Sequence, residues 1–146
     1  MAKADVSTTI KRPVEDVFAV LSNPENSPKW SSASLEAKIT STGPIGVGST
    51  ARTVSKFLGK RLESEMELTE YEPNRKFAGQ SKSGPFPFQI SMTFEGTEGG
   101  TRVNANMEAE PSGFFKLAEP LIVRTAKRQL QSDLDNLKDL MEANAL

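Results

Sequence analysis

The stretch from Pro120 to about Ala143 sets the terms for the rest of the chain. Leu130, Leu134, Leu137 and Met141 recur at helical spacing, and Val123 and Ala126 extend the stripe toward the N-terminus. Lys127, Arg128, Gln131, Asp135, Asn136, Lys138 and Asp139 lie between them, so the spacing predicts an amphipathic helix with one apolar face. At ~1.5 Å per residue it spans roughly 36 Å, the width of a small domain. Its charges oppose the helix dipole: Arg124, Lys127 and Arg128 come early, Asp139 and Glu142 late. Such a helix needs a broad apolar surface to lie on, and the residues before it must supply one.

Most of those residues alternate with the period of a strand. Ala4, Val6, Thr8 and Ile10 alternate with Asp5, Ser7 and Thr9. Pro13 suits a first helical position, and Val14, Val17, Phe18 and Leu21 follow at helical spacing, with Glu15 and Asp16 in the first turn. Asn23 and Pro24 end that helix. Asn26 to Trp30 reads as a second short helix or a turn, and the lone tryptophan as a plug between helix and sheet. Leu35, Ala37 and Ile39 mark a strand within 33–41; residues 49–58 and 60–71 read as two more, joined near Gly59; 76–82 is a short one. Phe86, Phe88, Ile90, Met92 and Phe94 then share one face, and after the turn at 95–100 so do Val103, Ala105, Met107 and Ala109, which predicts a hairpin with one buried face. Pro111, Ser112 and Gly113 separate the sheet from an apolar lead-in of Phe114, Phe115 and Leu117. Strand, one or two helices, six strands and a long helix, all with short connections, predict an α+β fold with an antiparallel sheet. No linker divides the chain, so residues 1–146 are expected to form a single domain.

Composition limits the chemistry. There is no cysteine and no histidine, which excludes disulfides, thiolate catalysis, and the commonest general base and metal ligand. A net charge of −1 and a pI of about 5.6 give no basis for nucleic acid as a partner. No apolar run approaches the roughly 20 residues of a membrane span, and the opening MAKADVSTTI has no signal-peptide core. Neither nucleic-acid binding nor stable membrane insertion is expected, and a cytoplasmic protein is the default. Two patterns imitate sites. The GPIGVGS segment, Gly43 to Ser49, lacks the spacing of a phosphate loop and reads as a loop or bulge. Glu63, Glu65 and Glu67 resemble a metal ladder but read as a solvated face, with Arg52 and Lys56 as cross-strand partners. No metal and no cofactor is expected.

The inward set is Phe57, Met66, Leu68, Phe77, Phe88, Ile90, Met92, Phe94, Val103 and Met107, with Leu121, Ile122 and Thr125 near the helix entrance. It is rich in phenylalanine and methionine, which suits either a packed core or an apolar pocket. Catalytic options are few. Serine has no histidine to activate it, and a carboxylate, lysine or Tyr71 would need a pKa shifted by burial. Most carboxylates fall on the outward phase, and Arg52, Arg102 and Arg124 are candidates only for a pocket mouth. No catalytic residue is assigned.

Four segments carry a family likeness: TTIKRPVEDVFAVLSNPENSPKW from Thr8 to Trp30, GPIGVGSTART from Gly43 to Thr53, LTEYEPNRKF from Leu68 to Phe77, and GGTRVNANME followed by the long helix. In order and spacing they resemble the START-like, or SRPBCC, superfamily, in its polyketide cyclase/dehydrase and lipid transport branch. The resemblance implies a helix-grip fold like that of the birch-pollen-allergen proteins: a seven-stranded antiparallel sheet wrapped around the C-terminal helix, with a cavity between them. It implies one START-like ligand-binding domain whose partner is a small apolar molecule, lipid- or polyketide-like. The expected walls are Phe57, Met66, Phe88, Met92, Met107, Leu121 and Thr125, with Trp30 closing one end. The mouth is expected near Phe114 to Thr125 and the Gly43–Ser49 and Ser83–Pro87 loops. Two other functions stay open: a polyketide cyclase or dehydratase, which requires a buried ionisable group beside the cavity, and a co-chaperone-like interaction module, which predicts a collapsed cavity and an exposed apolar patch. The polar pocket residues of the aromatic polyketide cyclases have no counterparts that can be matched here, and the iron-binding branches need Cys and His. Oligomeric state is left open.

Overall fold

The protein is described by a computed structural model covering residues 2–84, 86–110 and 114–146. Strand β1 (Ala2–Ile10) leads to α1 (Val14–Ser22), a 3₁₀ turn at Pro24–Asn26 and the single turn α2 (Ser27–Trp30). Six strands follow: β2 (Ser34–Ile39), β3 (Thr50–Phe57), β4 (Lys60–Glu72), β5 (Lys76–Ser83), β6 (Phe88–Thr97) and β7 (Gly100–Ala109). The chain ends in α3 (Phe114–Leu117) and α4 (Glu119–Glu142). Pro111 to Gly113, expected as the break before the helix, lies outside the described residues, as do Pro85 and the side chains of Phe114 and Phe115.

The strands form one antiparallel sheet in the order β1-β7-β6-β5-β4-β3-β2. β2 to β7 meander, and β1 joins at the β7 edge in an unbroken register from Ala2 opposite Ala109 to Ile10 opposite Thr101. Register shifts interrupt β4–β5 at Glu65/Met66 and Leu68/Glu70, and β2–β3 at Ser34/Glu36. Such irregularities bend a strand and raise its twist, and the sheet curls around α4 in the helix-grip arrangement. The alternation read from the sequence sets the faces. Ala2, Ala4, Val6 and Ile10 of β1, Met92 and Phe94 of β6, and Val103 and Ala105 of β7 are buried beneath the helices. The acid ladder of β4 faces outward: Glu63 pairs with Arg52 at 3.0 Å and Arg61 at 3.7 Å, and Glu67 with Lys82 at 4.0 Å.

α4 shares the task of covering the sheet with α1. Phe18 points from α1 into the sheet and meets Phe94, Tyr71 and Phe77 edge-on at centroid distances of 5.1, 5.4 and 6.2 Å. Val17, Leu21, Ile10, Val103, Leu134, Leu137 and Met141 close around this aromatic group. The adverse dipole of α4 is met from outside the helix. Arg12, just after β1, donates through Nη1 to the carbonyl of Met141 at 2.8 Å and that of Leu146 at 3.2 Å, and Asp16 holds its other side at 3.0 Å. A cation therefore sits at the helix C-terminus although the last turn contains none. No helix among the described residues is long and apolar enough to cross a membrane.

Candidate functional site

Beyond the aromatic core the sheet and α4 diverge around a cavity of about 310 Å³, within the size range of small-ligand pockets, ~300–1,000 Å³. β3 and β4 contribute Phe57, Leu62 and Met66, β6 contributes Phe88, Ile90 and Met92, β7 contributes Met107, and the first half of α4 contributes Ile122, Val123, Ala126 and Leu130. At the outer end, Phe57, Leu58, Leu62, Phe86, Ala118 and Val123 are only partly buried around Ala2 and Ile122. Leu58 (φ 52°) and Gly59 (φ 77°) form the β3–β4 turn there. Positive φ at both central residues matches a hairpin turn of primed type, which glycine adopts freely and leucine only with strain.

The inner end is polar. Asp133 is 6 % exposed and lies on the cavity wall. Its Oδ2 accepts from Ser31 Oγ at 2.6 Å, and its Oδ1 from Gln129 Nε2 at 2.8 Å and the Ser32 amide at 3.3 Å. Burial pushes this carboxyl above its ordinary value, and the hydrogen bonds from Ser31, Gln129 and Ser32 only partly oppose that. Trp30 stands at the boundary, belonging to the packed core and lining the cavity. Its carbonyl accepts from Asn136 Nδ2 at 2.9 Å, whereas its buried Nε1 has no partner among the described residues.

Residues 1–142 match the family profile described as polyketide cyclase / dehydrase and lipid transport. The chain belongs to that family. Solved structures share the fold at low identity. A Thermus thermophilus protein, TTHA0849, is 19 % identical with a TM-score of 0.85, over 99 % of each chain. A START superfamily protein from Mycobacterium smegmatis is 14 % identical with a TM-score of 0.81, over 98 % of this chain and 99 % of that one. The di-domain ARO/CYC protein BexL of the BE-7585A biosynthetic pathway is 15 % identical with a TM-score of 0.75; 97 % of this chain aligns with 47 % of BexL. No curated protein gives a significant match in sequence.

For this member of the polyketide cyclase / dehydrase and lipid transport family, the structure places Trp30, Phe57, Met66, Phe88, Met92 and Met107 on the cavity wall. Leu121 and Thr125 are not on it. Leu121 is 52 % exposed, and the wall of α4 is made by Ile122, Val123, Ala126, Gln129, Leu130 and Asp133. Successive helical residues turn by about 100°, so choosing Leu121 for Ile122 rotates the wall to the solvent side. Arg52, Arg102 and Arg124 are also off the wall; the cations on it are Lys3 and Lys56, both exposed. No residue of Gly43–Ser49 lines the cavity. That loop precedes Thr50, while Phe57 at the mouth ends β3, and an eight-residue strand separates its ends by roughly 25 Å. Asp133 was missed. Its signal is its phase, three residues after Leu130 and four before Leu137, on the apolar stripe.

Proposed function

We propose that this protein binds and carries a small, mostly apolar ligand, lipid- or polyketide-like, in the cavity between the sheet and the first half of α4, with residues 1–146 acting as one ligand-binding domain. The observation that carries the reading is the open cavity walled by Phe57, Met66, Phe88, Ile90, Met107 and Ile122 in a fold whose family includes lipid transport. Each Å² of apolar ligand surface removed from water would contribute about 25 cal/mol. A cavity that the described side chains have not filled supports this reading over the interaction module. The cytoplasmic setting expected from the sequence belongs to the proposal, and cell fractionation checks it. The direct test is native mass spectrometry of the purified protein, then solvent extraction of whatever is bound. A co-purifying apolar molecule near one-to-one supports the carrier; a clean mass, with no stabilisation by a panel of lipids and polyketides, counts against it.

One observation favours a second reading, an enzyme of the cyclase or dehydratase class. Asp133 is a buried ionisable group beside the cavity, and its raised pKa suits a carboxyl that exchanges protons with a bound substrate. Incubating the extracted ligand with protein separates the two: a new product that disappears with Asp133→Asn supports the enzyme, and unchanged ligand supports the carrier.

A further inference from the structure

An apolar pocket has no need of a buried carboxylate, and this one is held in place with care. Ser31 Oγ, the Ser32 amide and Gln129 Nε2 all donate to Asp133. They fix the carboxylate plane but bring no positive charge. A carboxylate offers about four acceptor positions. Among the described residues Oδ1 takes two of these bonds and Oδ2 one, which leaves an acceptor on Oδ2.

No charged group among the described residues supplies the missing charge. Among the described residues Asp133 enters no ion pair. The two cations on the wall, Lys3 and Lys56, are exposed, and Lys3 already pairs with Glu108 at 3.5 Å. The nearby hydroxyls are engaged: Ser27 Oγ donates to the Pro24 carbonyl at 2.8 Å and meets Ser34 Oγ at 3.0 Å. A carboxylate on a low-dielectric wall, without a counter-charge and with an acceptor free, is complementary to a cationic donor.

We propose that Asp133 anchors the head of the ligand, and that the head is a hydrogen-bond donor, a protonated amine first and a hydroxyl second, on an otherwise apolar body. This rests on the reading of the cavity as a ligand site. The ligand enters apolar body and all between Phe57, Phe86 and Val123, its head reaching the inner end beside Trp30. A fatty acid is the wrong ligand, because its carboxylate would meet Asp133 as a like charge.

The test uses the full chain loaded with a neutral fluorescent probe, N-phenyl-1-naphthylamine, displaced in turn by decylamine, decanol and decanoate. Decylamine should displace the probe at a concentration about tenfold below decanol and about a hundredfold below decanoate, the scale set by a hydrogen bond to a charged group. Asp133→Asn keeps the shape and removes the charge, and should bring the three within about threefold of one another. The wild-type ranking is decisive even if that variant does not fold. Decanol uptake with no preference for decylamine, or decanoate binding as tightly as decylamine, overturns the anchor and leaves the carrier reading standing. Failure of the probe and all three chains to bind overturns both.

Discussion

The two halves of the space between sheet and α4 are built from the same sheet and the same helix, yet the described side chains fill only one. In the packed half Phe77 and Phe94 of the sheet face Leu134, Leu137 and Met141 of α4, and Phe18 fills the gap between them. In the open half Phe88, Ile90 and Met107 face Ile122, Val123 and Ala126 across the cavity. Both sets are apolar, although the open half also carries Ser31, Gln129 and Asp133 at its inner end. The difference is a third layer: α1 inserts Phe18 into the packed half, whereas among the described residues Trp30 of α2 reaches only the boundary of the other. Core and cavity lie between one sheet and one long helix, separated by a short helix, α1, that covers only part of the sheet.

Breaking the packed half should give the largest effect. Phe18→Ala removes a ring that touches three others and should cost ~3–5 kcal/mol in urea unfolding; a loss below about 1 kcal/mol would show that the core does not depend on it. Next comes Gly100→Ala. A Cβ at Gly100 would collide with the carbonyl oxygen of Ile10, a backbone atom fixed in the β1–β7 ladder, so a cost of ~1–3 kcal/mol is expected. The open half should respond differently. Ala126→Phe places a ring in existing space, so stability should change by less than ~1 kcal/mol, about the span of helix propensity, while probe uptake is lost. Uptake that survives would move the ligand site away from α4.

Two acids on α4 sharpen the contrast through pH. Asp133 has its pKa raised by burial, so the folded state favours its protonated form. Its stabilising contribution is present below the ordinary carboxyl pKa and is lost as pH rises through the folded value. Wild-type stability should therefore carry a falling component with rising pH that Asp133→Asn lacks, read from thermal melts across the acid range. Glu142, at the packed end, is shifted the other way by hydrogen bonds from Lys138 Nζ at 2.6 Å and the Lys11 amide at 3.0 Å. Its contribution is present above the ordinary carboxyl pKa and fades as pH falls through the folded value. Glu142→Gln should give the smallest change of the series, confined to pH above that range; a change equal at low and neutral pH would show that the charge is not what matters.

Periodicity made most of the fold legible. The run from Phe86 to Phe94 and its partner from Thr101 to Ala109 alternate so regularly that pairing and face follow together, and α4 declares itself through Leu130, Leu134, Leu137 and Met141. Strand residues of the cavity wall were legible for the same reason, since the sheet has only two faces. Helical phase was less forgiving: Leu121 and Ile122 are both apolar, and only the contacts of α4 show which one faces inward. Asp133 was obscured by its class, because charged residues usually mark the solvent side. Arg12 gave no local sign at all. Its bond to the Met141 carbonyl joins residues 129 apart in sequence, and no window of neighbouring residues contains such a contact.

The placement of β1 also has a consequence in time. β1 is made before the other six strands, yet its strand partner is β7, with Ala2 opposite Ala109. During synthesis Ala2–Ile10 emerges with its apolar face uncovered and its backbone unpaired, and most of the chain must follow before a partner exists. Contacts this distant carry their entropic cost before any reward, which slows folding and lengthens exposure to aggregation. The alternating Asp5, Ser7 and Thr9, beside Lys3, keep one side of the waiting strand polar, so a nascent chain held short of Gly100 should be the form most in need of a chaperone.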